Sequence, residues 1–141
     1  MSISKATAAW SGGLKNGKGT MKPAHGAEET FTLGSRFEGQ PQTNPEEMIG
    51  AALAGCFSMA LTVGLETAGL KPEGVQTSAE VHLNKDGPGF SITEIVLTTK
   101  ANVSGVDDAK FQAIAAETKK GCPVSKALAG TKISLNASLG K

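Results

Sequence analysis

Aromatic residues are scarce in this chain, with no tyrosine, one tryptophan and five phenylalanines. That leaves little for nucleic-acid bases to stack on. An excess of either charge is also missing: fourteen Lys and Arg face thirteen Asp and Glu, a formal net charge of +1 without a long run of one sign. No polyanion footprint results, and nucleic acid is excluded as a partner. There is one arginine, Arg36, and there are two cysteines, Cys56 and Cys122. Two thiols are too few for a secreted disulfide scaffold. On residue type alone they could join His25 and His82 around a metal, but no spacing among the four resembles a zinc motif. The N-terminus lacks a basic start followed by an apolar segment, so no secretory signal is expected and the cytoplasm is the default compartment. In a reducing cytosol a cysteine pair points to catalysis, redox sensing or metal binding rather than to a permanent staple.

The 141 residues make one domain, 1–141, by the usual size prior. Short β-prone runs at Ile3–Trp10, Gly19–Lys22 and Thr30–Phe37 are separated by glycine-rich turns. A long helix then begins with Asn44 as N-cap, Pro45 in the first turn and Glu47 as the capping-box acid, and Gly69 ends it. Met48 to Leu65 carries no charge over eighteen residues, at the lower edge of a membrane span. Its many small residues, Gly50, Ala51, Ala52, Ala54, Gly55 and Gly64 among them, argue against partition into lipid and for close approach of another backbone. No membrane partner is expected.

Val75 to Leu83 alternates as a half-buried strand. Asp86 to Gly89 turns the chain, and Phe90 to Val103 returns as the second arm of a hairpin. Helices over Asp107–Lys119 and after Cys122, with a final strand near Lys132–Ala137, complete the order βββ-α-ββ-α-α-β. This is an α+β class with antiparallel sheet. The central helix is apolar nearly all round and must be covered on every side, which a homodimer would do economically.

A thiol attacks as its thiolate, and apolar burial alone opposes that state, so an activated Cys56 needs a cationic partner. Arg36 is the one guanidinium available, and its planar fork can hold a carboxylate while facing a thiolate. Plain structural roles stay open: Cys56 as a small hydrophobe, Cys122 as a helix-start residue, Arg36 on a strand surface, and Glu46 and Glu47 as complements of the helix dipole.

Asn44-Pro45-Glu46-Glu47-Met48-Ile49-Gly50-Ala51-Ala52-Leu53-Ala54-Gly55-Cys56-Phe57-Ser58 resembles the central-helix signature of the OsmC/Ohr family, the osmotically inducible and organic hydroperoxide resistance proteins. Gly121-Cys122-Pro123-Val124-Ser125 resembles its second cysteine motif. Ser35-Arg36-Phe37-Glu38-Gly39 resembles the arginine segment of the OsmC branch, and the likeness extends to the glycine-rich start at Trp10-Ser11-Gly12-Gly13. The resemblance implies an OsmC-like fold, antiparallel sheets around a long central helix in an intertwined homodimer. It also implies a cysteine-based peroxidase needing no cofactor. In that scheme Cys56 is the peroxidatic cysteine, Cys122 the resolving one, and Arg36 with Glu46 the activating pair.

The implied partners are an organic hydroperoxide and an external dithiol reductant, lipoyl-type or a small thiol. Phe37, Met48, Leu53 and Phe57 would give the site its apolar character. A redox sensor or a hydrophobic ligand carrier using the same dimer cavity are the competing readings. Glu46 and Cys56 stand ten residues apart, about 15 Å along a helix, which suggests composite sites in which Glu46 comes from the partner subunit.

Overall fold

The computed structural model describes residues 1–140, which divide into two compact units meeting at Met48 and Ile49. In the first unit, β1 (Ala6–Ser11), β2 (Lys18–Pro23) and β3 (Glu29–Phe31) form an antiparallel meander in the order β1-β2-β3. Trp10 and Phe31 close over the middle strand with ring centroids 5.6 Å apart. Gly19 lies beneath them, where a Cβ would come within 2.4 Å of the Phe31 ring and 2.8 Å of the Trp10 ring, so any side chain there would force the rings apart.

The segment expected to continue as a strand through Phe37 instead turns into a short helix, α1 (Leu33–Phe37). The cause is local. Thr32 caps it by accepting from the Ser35 amide at 3.1 Å, while Ser35 Oγ accepts from the Thr32 amide at 2.9 Å. This reciprocal pair satisfies two end donors and outweighs the β preference of the flanking Thr and Phe residues. Arg36 therefore stands on a helical turn, not a strand.

Helix α2 (Pro45–Thr67) starts where the residue pattern predicts. Asn44 Oδ1 accepts from the Glu47 amide at 2.8 Å, and Asn44 Nδ2 donates to Ser35 O at 2.8 Å, so the cap also fastens α1. The Glu47 carboxylate takes the Thr43 hydroxyl at 2.9 Å. At the far end Gly69, with φ +83°, and Leu70 fold back so that the Leu70 amide reaches Leu65 O at 3.1 Å.

The second unit is built on β4 (Gly74–Asp86) and β5 (Gly89–Asn102), a long antiparallel hairpin with an irregularity at His82 and Leu83. Helices α3 (Asp108–Gly121) and α4 (Pro123–Ala127) lead to β6 (Lys132–Leu139). Strand β6 pairs with β5 in parallel, in the sheet order β4-β5-β6. The sheets are thus not antiparallel throughout. Returning parallel requires a crossover, and the two helices supply it. Asp107 caps α3 by accepting from the Lys110 amide at 2.8 Å.

Inward residues of β5, Ile95, Leu97 and Ala101, meet Phe111 and Ala115 of α3 and the α2 row Leu53, Phe57, Leu61 and Leu65, all fully buried. The i, i+4 spacing places that row along one helix face. Each of the Leu, Ile and Phe side chains among them contributes about 1.5–3 kcal/mol on burial. By length and composition α2 would also pass as a membrane-crossing helix.

Candidate active site

Cys56 lies on α2 between Leu53 and Phe57, beside the buried row, and is itself half-buried. Helix α2 is held in register against the sheet by more than apolar packing. Ser58 Oγ donates to Thr77 Oγ1 at 2.7 Å, Thr77 Oγ1 donates to Thr99 Oγ1 at 2.8 Å, and Thr99 Oγ1 donates to Gln76 O at 3.2 Å. This hydroxyl chain begins two residues beyond Cys56. Single-site reading of the sequence passes over it, although Thr77 and Thr99 both fall on inward strand positions.

Cys122 occupies the joint between α3 and α4. Its amide donates to Thr118 O at 3.0 Å and ends α3, while its carbonyl accepts from the Lys126 amide at 3.0 Å and begins α4. Pro123 enforces the break, because a residue before proline is pushed out of the helical region, and Cys122 has φ −59° and ψ 126°. The thiol is completely buried.

This geometry brings the two sulfurs together. The Cys122 and Cys56 sulfurs are in hydrogen-bond contact at 2.8 Å, and both are free thiols. Burial pushes the Cys56 thiol up, and the hydrogen bond with Cys122 pushes it further, against a smaller opposing pull from the Val124 amide. Burial acts against ionisation of Cys122 too. There, however, the hydrogen bond from Cys56, the Ser125 amide and hydroxyl and the Val124 amide together carry the thiol below its ordinary value. The pair titrates as a unit: the first proton leaves readily because the remaining thiol donates to the new thiolate, and the second must leave two charges in contact. The influences on Cys56 within this unit contain no cation.

Arg36 and Glu46 meet within the first unit. The guanidinium approaches the carboxylate side-on, Nε lying 3.2 and 3.3 Å from the two oxygens and Nη2 2.5 Å from Oε1. The Glu46 side chain is nine-tenths buried, whereas that of Arg36 is about one-third exposed. Arg36 also lies over the Phe37 ring, 5.3 Å from its centroid. The four predicted residues therefore form two pairs, one in each unit. Leu53 and Phe57, expected around the site, are wholly enclosed in the core against which Cys56 packs. Among the described residues no group of three His, Cys, Asp or Glu side chains converges as a metal site would require.

Comparison with known proteins bears on this arrangement. Residues 37–136 match the family described as OsmC-like protein. The chain is 45% identical to peroxiredoxin OsmC of Escherichia coli over 126 residues, 88% of each chain. Among solved structures it is similar to the organic hydroperoxide resistance protein OhrB of Bacillus subtilis, with TM-score 0.68 and 26% identity over 96% of this chain and 98% of that one. It is also similar to an OsmC-like protein of Mycoplasma pneumoniae, with TM-score 0.78 and 15% identity over 99% of both.

Proposed function

The chain belongs to the OsmC-like protein family, and from that premise we propose that it is a thiol-dependent peroxidase acting on organic hydroperoxides through Cys56 and Cys122. The observation that carries this reading is the 2.8 Å contact between two free sulfurs, one half-buried and one fully buried. The Cys56 thiolate attacks one oxygen of the O–O bond. An S–O bond forms, the O–O bond breaks, and the departing alkoxide takes a proton to become an alcohol, or water when hydrogen peroxide is the substrate. Sulfur, oxidised by two electrons, is left as a sulfenic acid. Cys122 then attacks that sulfur, an S–S bond forms, and the sulfenic oxygen leaves as water. An external dithiol, lipoyl-type or small, reopens the disulfide by exchange in a reducing cytoplasm.

Arg36, oriented by Glu46, supplies in this reading the positive charge that favours the Cys56 thiolate and the departing oxygen. The homodimer implied by the family draws support from α2, whose exposed face carries Ala52, Gly55, Met59 and Val63 at helical spacing, Met59 being 74% and Val63 54% exposed. A second copy of the chain is the occupant we assign to that face. Sedimentation should give twice the monomer mass, and Met59→Glu should return it to monomer.

The enzymatic test is consumption of cumene hydroperoxide and of hydrogen peroxide with a dithiol as reductant. The parent should turn over repeatedly and favour the organic peroxide. Cys56→Ser should consume neither. Cys122→Ser should complete the first attack and accumulate one or two added oxygens by intact mass, where the parent loses two hydrogens. Full repeated turnover in both variants would end the assignment.

A further inference from the structure

Among the described residues, Ser125 Oγ is a buried side-chain polar atom without a hydrogen-bond partner, and the residue is only 7% exposed. A buried, unpaired hydroxyl is destabilising and asks for a reason. Ser35 shows what a serine at the same helical position does elsewhere in this chain. It stands three residues after the cap Thr32, accepts from the Thr32 amide at 2.9 Å and donates to the Thr32 carbonyl at 3.0 Å. Ser125 likewise stands three residues after a cap residue, Cys122. There the cap's amide is already committed to Thr118 O, so the counterpart of the donor from which Ser35 Oγ accepts is not free. The same cap residue carries the Cys122 sulfur, whose thiolate the Ser125 hydroxyl favours.

We propose that Ser125 donates a hydrogen bond to Cys122 Sγ when that sulfur is a thiolate, making Cys122 the better leaving group of the Cys56–Cys122 disulfide and directing the reductant onto Cys56. The proposal deepens the peroxidase reading and rests on the disulfide that reading contains. A reductant thiolate attacks Cys56 Sγ and forms a mixed disulfide. The Cys56–Cys122 bond breaks and its electron pair stays on Cys122, held by the Ser125 hydroxyl until a proton arrives. The second thiol of the dithiol, after losing its proton, displaces Cys56 as a thiolate and closes the reductant into a cyclic disulfide. Two electrons have passed from dithiol to protein. Exchange is faster when the departing thiol has the lower pKa, so the hydroxyl acts on rate and on direction together. The exposure of the two sulfurs agrees, since Cys56 is half-buried and Cys122 is fully buried. The amide and hydroxyl of Ser125 also draw the Cys122 thiol down.

The test uses the full chain oxidised with diamide, so that no peroxide is involved. Reaction with excess 2-mercaptoethanol, quenched in acid, should place the adduct on Cys56 by peptide mass. Ser125→Ala should slow that step about tenfold, the scale of one hydrogen bond to a charged group. In a Cys56→Ser background, where only Cys122 can react, Ser125→Ala should move the pH profile of alkylation upward. Thermal unfolding of reduced Ser125→Ala should be unchanged or slightly more stable, because the substitution removes an unpaired polar atom. An unchanged reduction rate together with an unchanged alkylation profile would overturn the proposal, and so would a marked loss of stability, which would make the hydroxyl structural. Failure of the parent to consume peroxide while these thiol measurements come out as expected would count against the peroxidase reading alone.

Discussion

The two units hold themselves together by different means. From Ile49 onward the chain has a continuous apolar core in which Leu53, Phe57, Leu61, Leu65, Ile95, Leu97, Ala101, Phe111, Ala115 and Cys122 are all fully buried. The first unit has no counterpart: every residue of β1 is exposed, and its enclosed groups include Ser35 and Glu46, which are polar. Its local order comes from caps, turns and the Arg36–Glu46 pair. A core tolerates no missing volume, whereas a polar scaffold positions charge. On this contrast, damage to the second unit should register as lost stability and damage to the first as lost activity.

The largest expected effect is Phe57→Ala. It removes an enclosed ring from the core and should cost about 3–5 kcal/mol, read as a lower midpoint in denaturant. Trp10→Ala in the first unit, at a residue 39% exposed, should change the same midpoint far less. If the two losses were equal, the contrast between the units would fail.

Arg36→Lys should invert the pattern. The charge stays but the side-on fork to Glu46 is lost, and peroxide turnover should fall on the order of a hundredfold with little change in unfolding. The same variant should move Cys56 alkylation to higher pH, measured in a Cys122→Ser background. An unmoved profile would show that Arg36 is not the activator.

Thr77→Val is expected to be intermediate. It interrupts the hydroxyl chain from Ser58 to Thr99 and should cost about 1–3 kcal/mol through the groups left unpaired. Because the chain starts at Ser58, two residues beyond Cys56, disulfide formation should slow alongside the loss of stability.

The smallest effect concerns pH. Thiol alkylation of the parent should follow two steps rather than one, the first below and the second above the ordinary thiol range near 8.5. Lowering of the Cys122 pKa favours the folded state wherever that thiol is ionised in the folded chain. Its contribution is therefore full above the unfolded value and lost as pH falls through the folded one. The raised Cys56 has the opposite sign, destabilising above its unfolded value, so stability should rise with pH toward the ordinary thiol range and fall again above it. An unfolding midpoint that moved in one direction only between about pH 7 and 10 would show that the two thiols do not act with opposite sign.

Much of this was readable from residue order because its causes are local. Asn44-Pro45 and Gly69 mark both ends of α2, and alternation from Val75 to Leu83 marks β4. Helix α1 escaped because its cap uses Thr32 with Ser35 in place of the usual acid, amid residues that favour strands. The parallel pairing of β6 could not be read, since alternation identifies a strand without naming its neighbour. Proximity of Cys56 to Cys122 came only through family likeness, because nothing in their spacing brings them together. Ser125 was visible only as part of a motif. Its meaning depends on what Cys122 does with its own backbone groups.

The distance along the chain between the two sulfurs has a consequence for the protein as a polymer. Sixty-six positions separate them, so each closure of the disulfide ties a loop through α2, the β4–β5 hairpin and α3. A loop of that length restricts the unfolded ensemble by roughly 4 kcal/mol on the chain-entropy estimate. On the proposed cycle the molecule would alternate between a looser reduced form and a cross-linked oxidised one. Resistance to unfolding would then peak when peroxide outruns the supply of reductant, and protease digestion of the two redox forms would record that difference as a clock.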